Sequence, residues 1–457
     1  MKYQANRTPL IIGLSTLSLL VGAAWYFVPH PAMVILIAFI PLGALFIINK
    51  AFWFVILFVV FSFFRIHEAL PLLYPLKIPL LLSMGALSAL LWHSLISKEL
   101  KIYWHPSLNW LSLFWVLTII GIVFASNRNI ALTEFKSIYW KIIVMSLAIV
   151  WLVNTTENLA KTAMTIIYAG ALVSTIAVYN SVNRIGLVEG SRVTIGRDFG
   201  SMLGDPNDLA LVLLFPLAFA ISQTTTPGIS YFKRIISALV CVLLLAAIIA
   251  TQSRGGLLGS IAVIGIFALK LIRSKVLLLS LGSIAAIILY LVAGIADRAS
   301  GGAAEQGIDE SAMGRIYAWE AAIKMAVENP LTGVGLNNFF SNYFFYSAHW
   351  DGLNHAVHST WFGVLAETGF IGLIIFVILI ISLIRTSRST LARLSEAGTA
   401  VAPELNAVAY AVYAGLIGTI VSGTFLTQGF NWPIYILAAL TVCVSNVSHT
   451  ACQNEKI

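Results

Sequence analysis

Charged residues are scarce in this chain, and that scarcity excludes most soluble proteins. Lysine, arginine, aspartate and glutamate make up 10% of the 457 residues, whereas a soluble domain carries about 25%. Hydrophobic residues make up 59%, more than a soluble chain of this size can bury, because its surface grows steeply with its mass. We therefore expect an all-α, polytopic membrane protein, and we exclude a soluble enzyme and a nucleic-acid-binding domain.

Cysteine is also scarce, and the three cysteines show no spacing typical of a metal or redox site. Cys241 and Cys443 lie within apolar segments, and Cys452 lies in the polar C-terminal tail. The sequence contains no CxxC pair and no Cys/His spacing that indicates zinc. We therefore expect no disulfide framework, no metal and no cofactor.

Long apolar segments account for most of the sequence. A helix needs about 20 mostly apolar residues to cross the hydrocarbon core of a bilayer. Fourteen apolar segments occur, at 9–28, 31–48, 51–64, 78–96, 108–125, 138–153, 159–181, 207–223, 235–251, 256–272, 276–296, 359–384, 406–426 and 430–447. Because the third segment is short and 31–64 can be divided differently, we expect about 12–14 transmembrane helices.

Basic residues in the short loops predict the orientation of these helices. Loops rich in lysine and arginine remain in the cytoplasm, and here they follow every second apolar segment. They contain Lys50, Lys98, Lys101, Lys161, Lys233, Arg234, Lys270, Arg273, Lys275, Arg385, Arg388 and Arg393. With the N-terminus in the cytoplasm, 182–206, 252–255 and 297–358 all lie on the outer face. The last is one long periplasmic loop, and structureless loops of such length usually serve a function.

The first outer segment contains three arginines within fourteen residues, among them Arg192 and Arg197. Arginine presents a planar fork of donors that matches the geometry of a phosphate, so this loop could hold an anionic substrate. The alternative is a solvated loop whose arginines meet lipid headgroups. At its end, Asn207 or Asp208 is expected to cap the next helix, and Pro206 suits the first turn.

The second outer segment, Thr251 to Gly256, is a very short link between two apolar segments, and it places Arg254 at the membrane surface. An arginine at that depth is costly unless it is paired or useful. Gly255 and Gly256 would let the backbone turn sharply and approach a ligand closely. The N–H groups that begin the next helix favour an anion at the same place. These features predict a cradle for a diphosphate, with a snorkelling arginine as the alternative.

The third outer segment opens with Asp297 and Arg298 and continues into a predicted helix at about 313–328, which carries Arg315. Asn329-Pro330 is expected to end that helix. A glycine-containing turn and a run of aromatic residues follow. The aromatic side chains could lie at the membrane interface or stack on sugar rings.

His358, which directly precedes an apolar segment, is the strongest candidate for a catalytic residue. Histidine is the usual general base near neutral pH, and the alternative is a helix cap or an interfacial residue. Glu367 is too far along a straight helix to assist it, which favours a structural role. His349, Asp351 and His355 could add metal ligands, but their spacing matches no zinc motif.

Five motifs in this order resemble the O-antigen ligase/polymerase family of bacterial envelope glycan transferases. They extend over about 180–385 and are Asp205-Pro206-Asn207, Ser253-Arg254-Gly255-Gly256, Arg315 with Trp319 and Ala322, Asn329 to Phe339, and His358 through Glu367-Thr368-Gly369 to Gly372. One position departs from the family, which usually has asparagine after the histidine where this chain has Ser359.

The resemblance implies a glycosyltransferase that uses a glycan linked to undecaprenyl diphosphate at the periplasmic face of the bacterial inner membrane. It implies that His358 activates an acceptor hydroxyl and that Arg254, with Arg192 or Arg197, binds the diphosphate without a metal. We also expect Arg315 to contact substrate. The chemistry agrees, because glycosyl transfer needs a base near the hydroxyl and a positive site for the leaving group. Attack opposite that group would invert the anomeric centre.

Three functions remain open at this point. The first is a ligase whose acceptor is the lipid A core or a protein, and the second is a polymerase that extends the glycan on its lipid carrier. The third is a polytopic transporter, although transporters more often place ionisable residues near the middle of the membrane. We expect a transmembrane bundle at 1–181, a catalytic region at 182–385, and C-terminal helices with a tail at 386–457. Membrane lipids are expected partners, and nucleic acids are not.

Overall fold

The structure, a computed structural model, describes residues 31–292 and 310–454 together with scattered positions between 15 and 26. Within these ranges the regular secondary structure is helical, and the β-pairing is one isolated bridge between Val188 and Arg192. The prediction of an all-α protein is confirmed. The first predicted span, 9–28, and the start of the long loop, with Asp297 and Arg298, lie outside the described residues.

Seventeen α-helices form the described structure. They are α1 (Pro31–Asn49), α2 (Ala51–Phe63), α3 (Ile66–Ala69), α4 (Ile78–Leu91), α5 (Pro106–Phe124), α6 (Arg128–Glu134), α7 (Trp140–Leu152), α8 (Thr156–Val182), α9 (Pro206–Thr225), α10 (Tyr231–Ala250), α11 (Arg254–Leu271), α12 (Lys275–Val292), α13 (Glu310–Glu328), α14 (Phe339–Tyr346), α15 (Thr360–Ala397), α16 (Pro403–Gly423) and α17 (Trp432–Asn454). A π-helical turn, Phe135–Tyr139, joins α6 to α7.

Ten helical segments within the described residues are long and apolar enough to cross a membrane. Each of them corresponds to one predicted segment. Helix α4 with its flanking turns counts as one span, and α6 together with α7 counts as another. The protein is therefore a multi-pass membrane protein. The predicted segment 276–296 corresponds to α12, which is described as far as Val292.

The region 31–64 differs from the prediction of two separate spans. Helices α1 and α2 are bent by 81° at Lys50, as in a broken span or a re-entrant loop. The 13 residues of α2 extend only about 20 Å at 1.5 Å per residue, which is less than the hydrocarbon thickness of about 30 Å. Counting this pair as one span brings the total for the described residues to 11.

Helix α9 lies at the centre of the bundle, where it packs against α8, α10, α11 and α16. Small residues allow these close contacts. At Gly256 and Gly259 of α11, an added Cβ atom would collide with Ala210 and Leu214 of α9, a type of contact common between membrane helices. One buried apolar core includes residues from all three predicted segments of the chain, and the division at 181 and 385 stays a prediction.

Alternate loops meet at opposite ends of the bundle, as the order of the spans predicts. One end, called here the long-loop end, carries 65–77, 126–127, 182–206, 251–253, 329–359 and 424–431. Its loops are joined by the hydrogen bonds Ser201–Glu68 (2.6 Å), Ser126–Val334 (2.9 Å) and Gln428–Asp208 (2.7 Å). The opposite end is joined by the contacts His93–Ile48 (2.9 Å), Lys233–Glu404 (3.4 Å) and Arg393–Ser448 (3.1 Å).

Candidate functional site

Asn207 connects the first two outer segments at the long-loop end. Its Oδ1 atom accepts hydrogen bonds from Arg192 Nη2 at 2.9 Å and from Ser253 Oγ at 2.9 Å. The Nε atom of Arg192 also donates to the carbonyl of Thr251 at 3.2 Å. The arginine-rich loop, the Asp-Pro-Asn motif and the Ser-Arg-Gly-Gly motif therefore form one hydrogen-bonded unit.

The cap of α9 is Asp205, so the expectation of Asn207 or Asp208 was wrong. The Asp205 Oδ1 atom accepts from the backbone N–H of Asn207 at 2.7 Å and of Asp208 at 3.4 Å. Pro206 stands in the first turn as expected. Because proline fixes a helical φ angle, the helix begins at Pro206, and the residue before it becomes the N-cap.

Gln428 links α9 to the beginning of α15, and sequence reasoning missed it. Its side chain donates to Asp208 Oδ1 at 2.7 Å, and its backbone N–H donates to Thr360 Oγ1 at 3.1 Å. Thr360 lies two residues after His358, so this contact ties the two predicted motifs together across the bundle. No local sequence pattern marks Gln428, because its partners are distant in the chain.

Ser253 is the N-cap of α11, and its Oγ accepts from the backbone N–H of Gly256 at 3.1 Å. The N-terminus of α11 therefore lies at the long-loop end, as the sequence predicts. Arg254 is the first helical residue and is exposed. It lies at the N-terminus of a helix, where the positive end of the helix dipole favours an anion.

The turn before α11 does not depend on the two glycines, contrary to the prediction. Gln252 has the left-handed backbone, with φ 50°, whereas Gly255 and Gly256 are helical and buried. Gly256 is needed for helix packing, because a Cβ atom added at this position would collide with Ala210. Gly256 thus seats α11 closely against α9.

The arginines of the first outer loop occupy different environments. Arg192 is 4% exposed and forms an ion pair with Glu189 at 3.6 Å in addition to its hydrogen bonds. Arg197 lies on a short 3₁₀ turn and is exposed. The structure therefore places Arg197 and Arg254 at the surface of the long-loop end and Arg192 beneath it.

The described part of the long loop is a folded unit. Helix α13 ends before Asn329-Pro330, which confirms the prediction of a helix at 313–328. A small apolar core holds the unit together and consists of Ala318, Ala321, Ala322, Met325, Val334, Phe339, Tyr343, Val357 and Ala366. The aromatic run forms α14, in which Phe340, Phe344 and Phe345 remain exposed.

The turn after α13 fits into a break in α15. Gly369 has φ 69° and ψ −170°, a conformation almost restricted to glycine, and an added Cβ would collide with the carbonyl of Pro330. Next to the break, the N–H of Val334 donates to the carbonyl of Ala366 at 2.8 Å. The Asn-Pro and Glu-Thr-Gly motifs of the sequence are thus two halves of one interlocked structure.

Glu367 stabilises this interlock. It is 7% exposed, and its carboxylate accepts from the backbone N–H of Asn337 at 2.8 Å and of Phe339 at 3.4 Å. These bonds hold the start of α14 against α15. The geometry matches the structural role expected of Glu367.

His358 has a left-handed backbone, with φ 45°, a conformation that costs a non-glycine residue about 1–3 kcal/mol. The surrounding structure enforces it. On one side, Trp319 Nε1 donates to the carbonyl of Val357 at 3.1 Å, and its ring stacks on Phe362 with centroids 5.0 Å apart. On the other side, Ser359 is the N-cap of α15, so His358 is not the capping residue. Strained residues of this kind cluster at active sites.

The surroundings of His358 keep its imidazole neutral. Burial lowers the pKa of His358 below its usual value, and the positive charge of Arg315 lowers it further, while Asp205 acts in the opposite direction. Arg315 of α13 and the Asp205 cap of α9 thus both act electrostatically on the ring. A neutral imidazole can accept a proton near neutral pH.

The other histidines of this loop have their own partners. His355 pairs with Asp351 at 2.9 Å, and His349 stacks on Tyr317 with centroids 3.8 Å apart. Within the described ranges, no three histidine, cysteine or acidic side chains are grouped in a way that could hold a metal ion.

Comparison with known families identifies the region that contains this site. Residues 239–377 match the O-antigen ligase family, and the matched region includes Arg254, Arg315, His358 and Glu367, whereas Arg192 and Arg197 precede it. No curated protein matches the chain. The match over residues 239–377 supports the O-antigen ligase/polymerase family, and with it a membrane enzyme that handles lipid-linked glycans.

Proposed function

We propose that this protein is a glycosyltransferase that moves a glycan from an undecaprenyl-diphosphate carrier to an acceptor hydroxyl, in the manner of an O-antigen ligase. The observation that carries the proposal is the position of His358. This strained, half-buried residue lies at the same end of the bundle as the motifs from three distant segments of the chain. The family match over 239–377 supports the same chemistry.

His358 acts as the general base in this proposal. Its neutral imidazole takes the proton of the acceptor hydroxyl as the hydroxyl oxygen bonds to the anomeric carbon. The bond from that carbon to the diphosphate oxygen breaks on the opposite face, so the configuration inverts. The diphosphate leaves with the bonding electron pair and needs positive charge around it.

Arg254 and the N-terminus of α11 are proposed to receive the diphosphate. The exposed guanidinium and the positive end of the α11 dipole provide positive charge in one place. We propose that Arg197 and Arg315 contact the same substrate. Arg192 supports this cradle from beneath through Asn207.

The long-loop end is proposed to face the periplasm of a bacterial inner membrane. The opposite end carries basic loops such as Lys98 to Lys101, Lys233-Arg234 and Arg385 to Arg393, and such loops favour the cytoplasm. A periplasmic site would meet the carrier lipid and the acceptor on the same side of the membrane.

A direct test compares His358→Ala with His355→Ala in a transfer assay that uses an undecaprenyl-diphosphate glycan and candidate acceptors. We expect transfer to fall at least about 100-fold for His358→Ala, because a general base contributes about 10²–10⁴-fold. We expect His355→Ala to stay within about threefold of wild type, since its ring pairs with Asp351. Equal loss in both variants, or full activity of His358→Ala, would contradict the assignment.

We also expect a chelator to leave wild-type transfer unchanged.

The acceptor distinguishes a ligase from a polymerase. Our proposal is a ligase that uses the lipid A core or a protein, with a polymerase that extends the lipid-linked glycan as the second candidate. In a deletion strain, loss of all attached glycan indicates a ligase, whereas a single attached repeat unit indicates a polymerase. The size distribution of the attached glycan measures this.

A further inference from the structure

A cavity lies at the long-loop end, apart from the residues around His358. Its volume is about 580 Å³, and it is bounded by α2, the 65–77 loop, the start of α4 and the π-helical turn before α7. None of the residues proposed for glycan transfer lines it. The cavity therefore needs its own explanation.

Positive charge dominates the polar wall of this cavity. Arg65, Lys77 and Lys141 line it, together with a single carboxylate, Glu68, which pairs with Arg65 at 3.3 Å. The ammonium groups of Lys77 and Lys141 remain in excess of the carboxylate. This excess of positive charge favours an anion in the cavity.

Arg65 has a hydrogen-bond donor without a partner. Its Nε atom is buried, and within the described residues it contacts no acceptor. A buried donor left unpaired destabilises the folded state, so this atom is a natural place for an oxygen of a bound anion.

The backbone around the cavity is strained at the positions of two cationic residues. Arg65 has φ 50° and Lys77 has φ 46°, and left-handed conformations of non-glycine residues concentrate at ligand sites. The third cationic residue, Lys141, follows the π-helical turn Phe135–Tyr139 and donates to the carbonyl of Ser137 at 2.6 Å. Turns of this type also occur frequently at functional sites.

The remaining wall of the cavity is apolar. Phe58, Leu80 and Trp432 line it, and the ring of Phe58 packs edge-on against Trp432 with centroids 5.2 Å apart. Leu72 is 92% exposed and Leu80 is 47% exposed, so the surface beside the cavity carries accessible apolar side chains. A ligand that fits both walls has an anionic head and an apolar tail.

We propose that this cavity binds the phosphate group of a membrane lipid, with Lys77, Lys141 and Arg65 around the phosphate. The lipid chains lie along Phe58 and Leu80. Basic pockets between membrane helices recognise lipid headgroups in this way. Inorganic phosphate would meet the same charges but would leave the apolar wall uncovered.

The site is adjacent to the arginine-rich loop, because Glu68 accepts a hydrogen bond from Ser201 Oγ at 2.6 Å. A lipid in the cavity would therefore lie beside the proposed diphosphate cradle as a second amphiphile. The proposal concerns binding alone, and it can be tested whether or not glycan transfer is observed.

The test is a titration of the purified full chain in detergent with dioleoyl phosphatidylglycerol, followed by native mass spectrometry. The charge-removed variant is Lys77→Gln with Lys141→Gln. The matched control is Arg128→Gln with Lys136→Gln, two exposed basic residues at the same end that do not line the cavity. We expect one tightly bound lipid in the wild type and the control, and affinity about tenfold or more lower in the charge-removed variant.

Two further binding measurements identify the ligand. Dioleoylglycerol, which lacks the phosphate, is expected to bind at least about tenfold more weakly than phosphatidylglycerol. Inorganic phosphate is expected not to displace the lipid at equal concentration. Equal affinities of the two double variants, equal binding of dioleoylglycerol, or displacement by inorganic phosphate would each overturn the proposal. If the charge-removed variant loses its melting transition, Lys77→Gln alone is compared with Lys136→Gln alone under the same criteria.

Discussion

His358 combines two properties that are rarely found together in a structural histidine. Its backbone has φ 45°, and its pKa is lowered by burial and by Arg315. The lowered pKa favours the neutral ring, which can accept a proton near neutral pH. At this scale, the proposed activity of His358 depends on the charged residues that act on its ring.

Arg315→Gln tests that electrostatic coupling. If transfer requires neutral His358, its rate is highest above the pKa of His358. The rate falls as the pH drops through that pKa. Since Arg315 lowers the pKa of His358, its removal raises that pKa and moves the acidic limb of the pH–rate profile to higher pH. The measurement is the transfer rate between about pH 4.5 and 8.

The control for this shift is Lys324→Gln, on the same helix, where Lys324 pairs with Glu320 at 2.8 Å. Lys324 is not among the groups that act on His358, so the pH–rate profile of Lys324→Gln should match that of the wild type. An acidic limb that stays in place in Arg315→Gln would contradict the coupling.

Asn207 is the residue on which the first two outer segments depend. In Asn207→Leu, Arg192 Nη2 and Ser253 Oγ lose their shared acceptor, and Arg192 is almost fully buried. We expect about 2–3 kcal/mol of destabilisation, seen as a lower melting temperature in detergent. Asn183→Leu, at an exposed position of the same end, should melt like the wild type, and equal melting of both variants would count against this role.

At the scale of elements, the break in α15 positions the catalytic region. The helix passes from His358 into the membrane, and the turn after α13 inserts its backbone at Gly369. Glu367 and Ala366 bind that turn from the helix side. The break therefore fixes α13, which carries Arg315, relative to the start of α15, which His358 precedes by two residues.

Gly369→Ala should disrupt this arrangement. Its φ of 69° with ψ −170° is strained for alanine, and the added Cβ collides with the carbonyl of Pro330. We expect a loss of stability of at least about 2 kcal/mol and a loss of transfer. Gly265→Ala, in α11 with no atom within 4 Å of the added Cβ, should retain both stability and transfer. Normal melting and transfer of Gly369→Ala would show that the break is dispensable.

At the scale of the whole molecule, loops that are far apart in sequence meet at two opposite ends. The long-loop end gathers the proposed transfer site and the lipid cavity, and the opposite end gathers short basic loops. This separation agrees with the positive-inside rule. It places both proposed amphiphiles on one side of the membrane.

Cysteine labelling tests this orientation. Cys241 and Cys452 are first changed to serine, whereas Cys443 is fully buried and can stay. In cells whose outer membrane is permeabilised, a membrane-impermeant maleimide should label Asn183→Cys at the long-loop end. It should label Ser389→Cys, at the opposite end, only after the inner membrane is disrupted. The reverse pattern would contradict the periplasmic assignment.

The elements of the fold follow from the sequence more closely than their junctions do. The apolar segments and the stop at Asn329-Pro330 predict the helices correctly. The cap of α9 was assigned to the wrong residue because Asp205, Asn207 and Asp208 are all good capping residues, and only the three-dimensional partners of Asn207 and Asp208 distinguish them.

Composition and the order of motifs thus determined the membrane architecture and the family, because apolar length and local spacing are properties of the chain itself. The tertiary structure decided which side chains meet. Gln428 contacts Asp208 across 220 positions, Gly256 serves helix packing, and Lys77 and Lys141 face one cavity. Such contacts depend on how the helices pack, and packing is set by the shapes of many side chains at once.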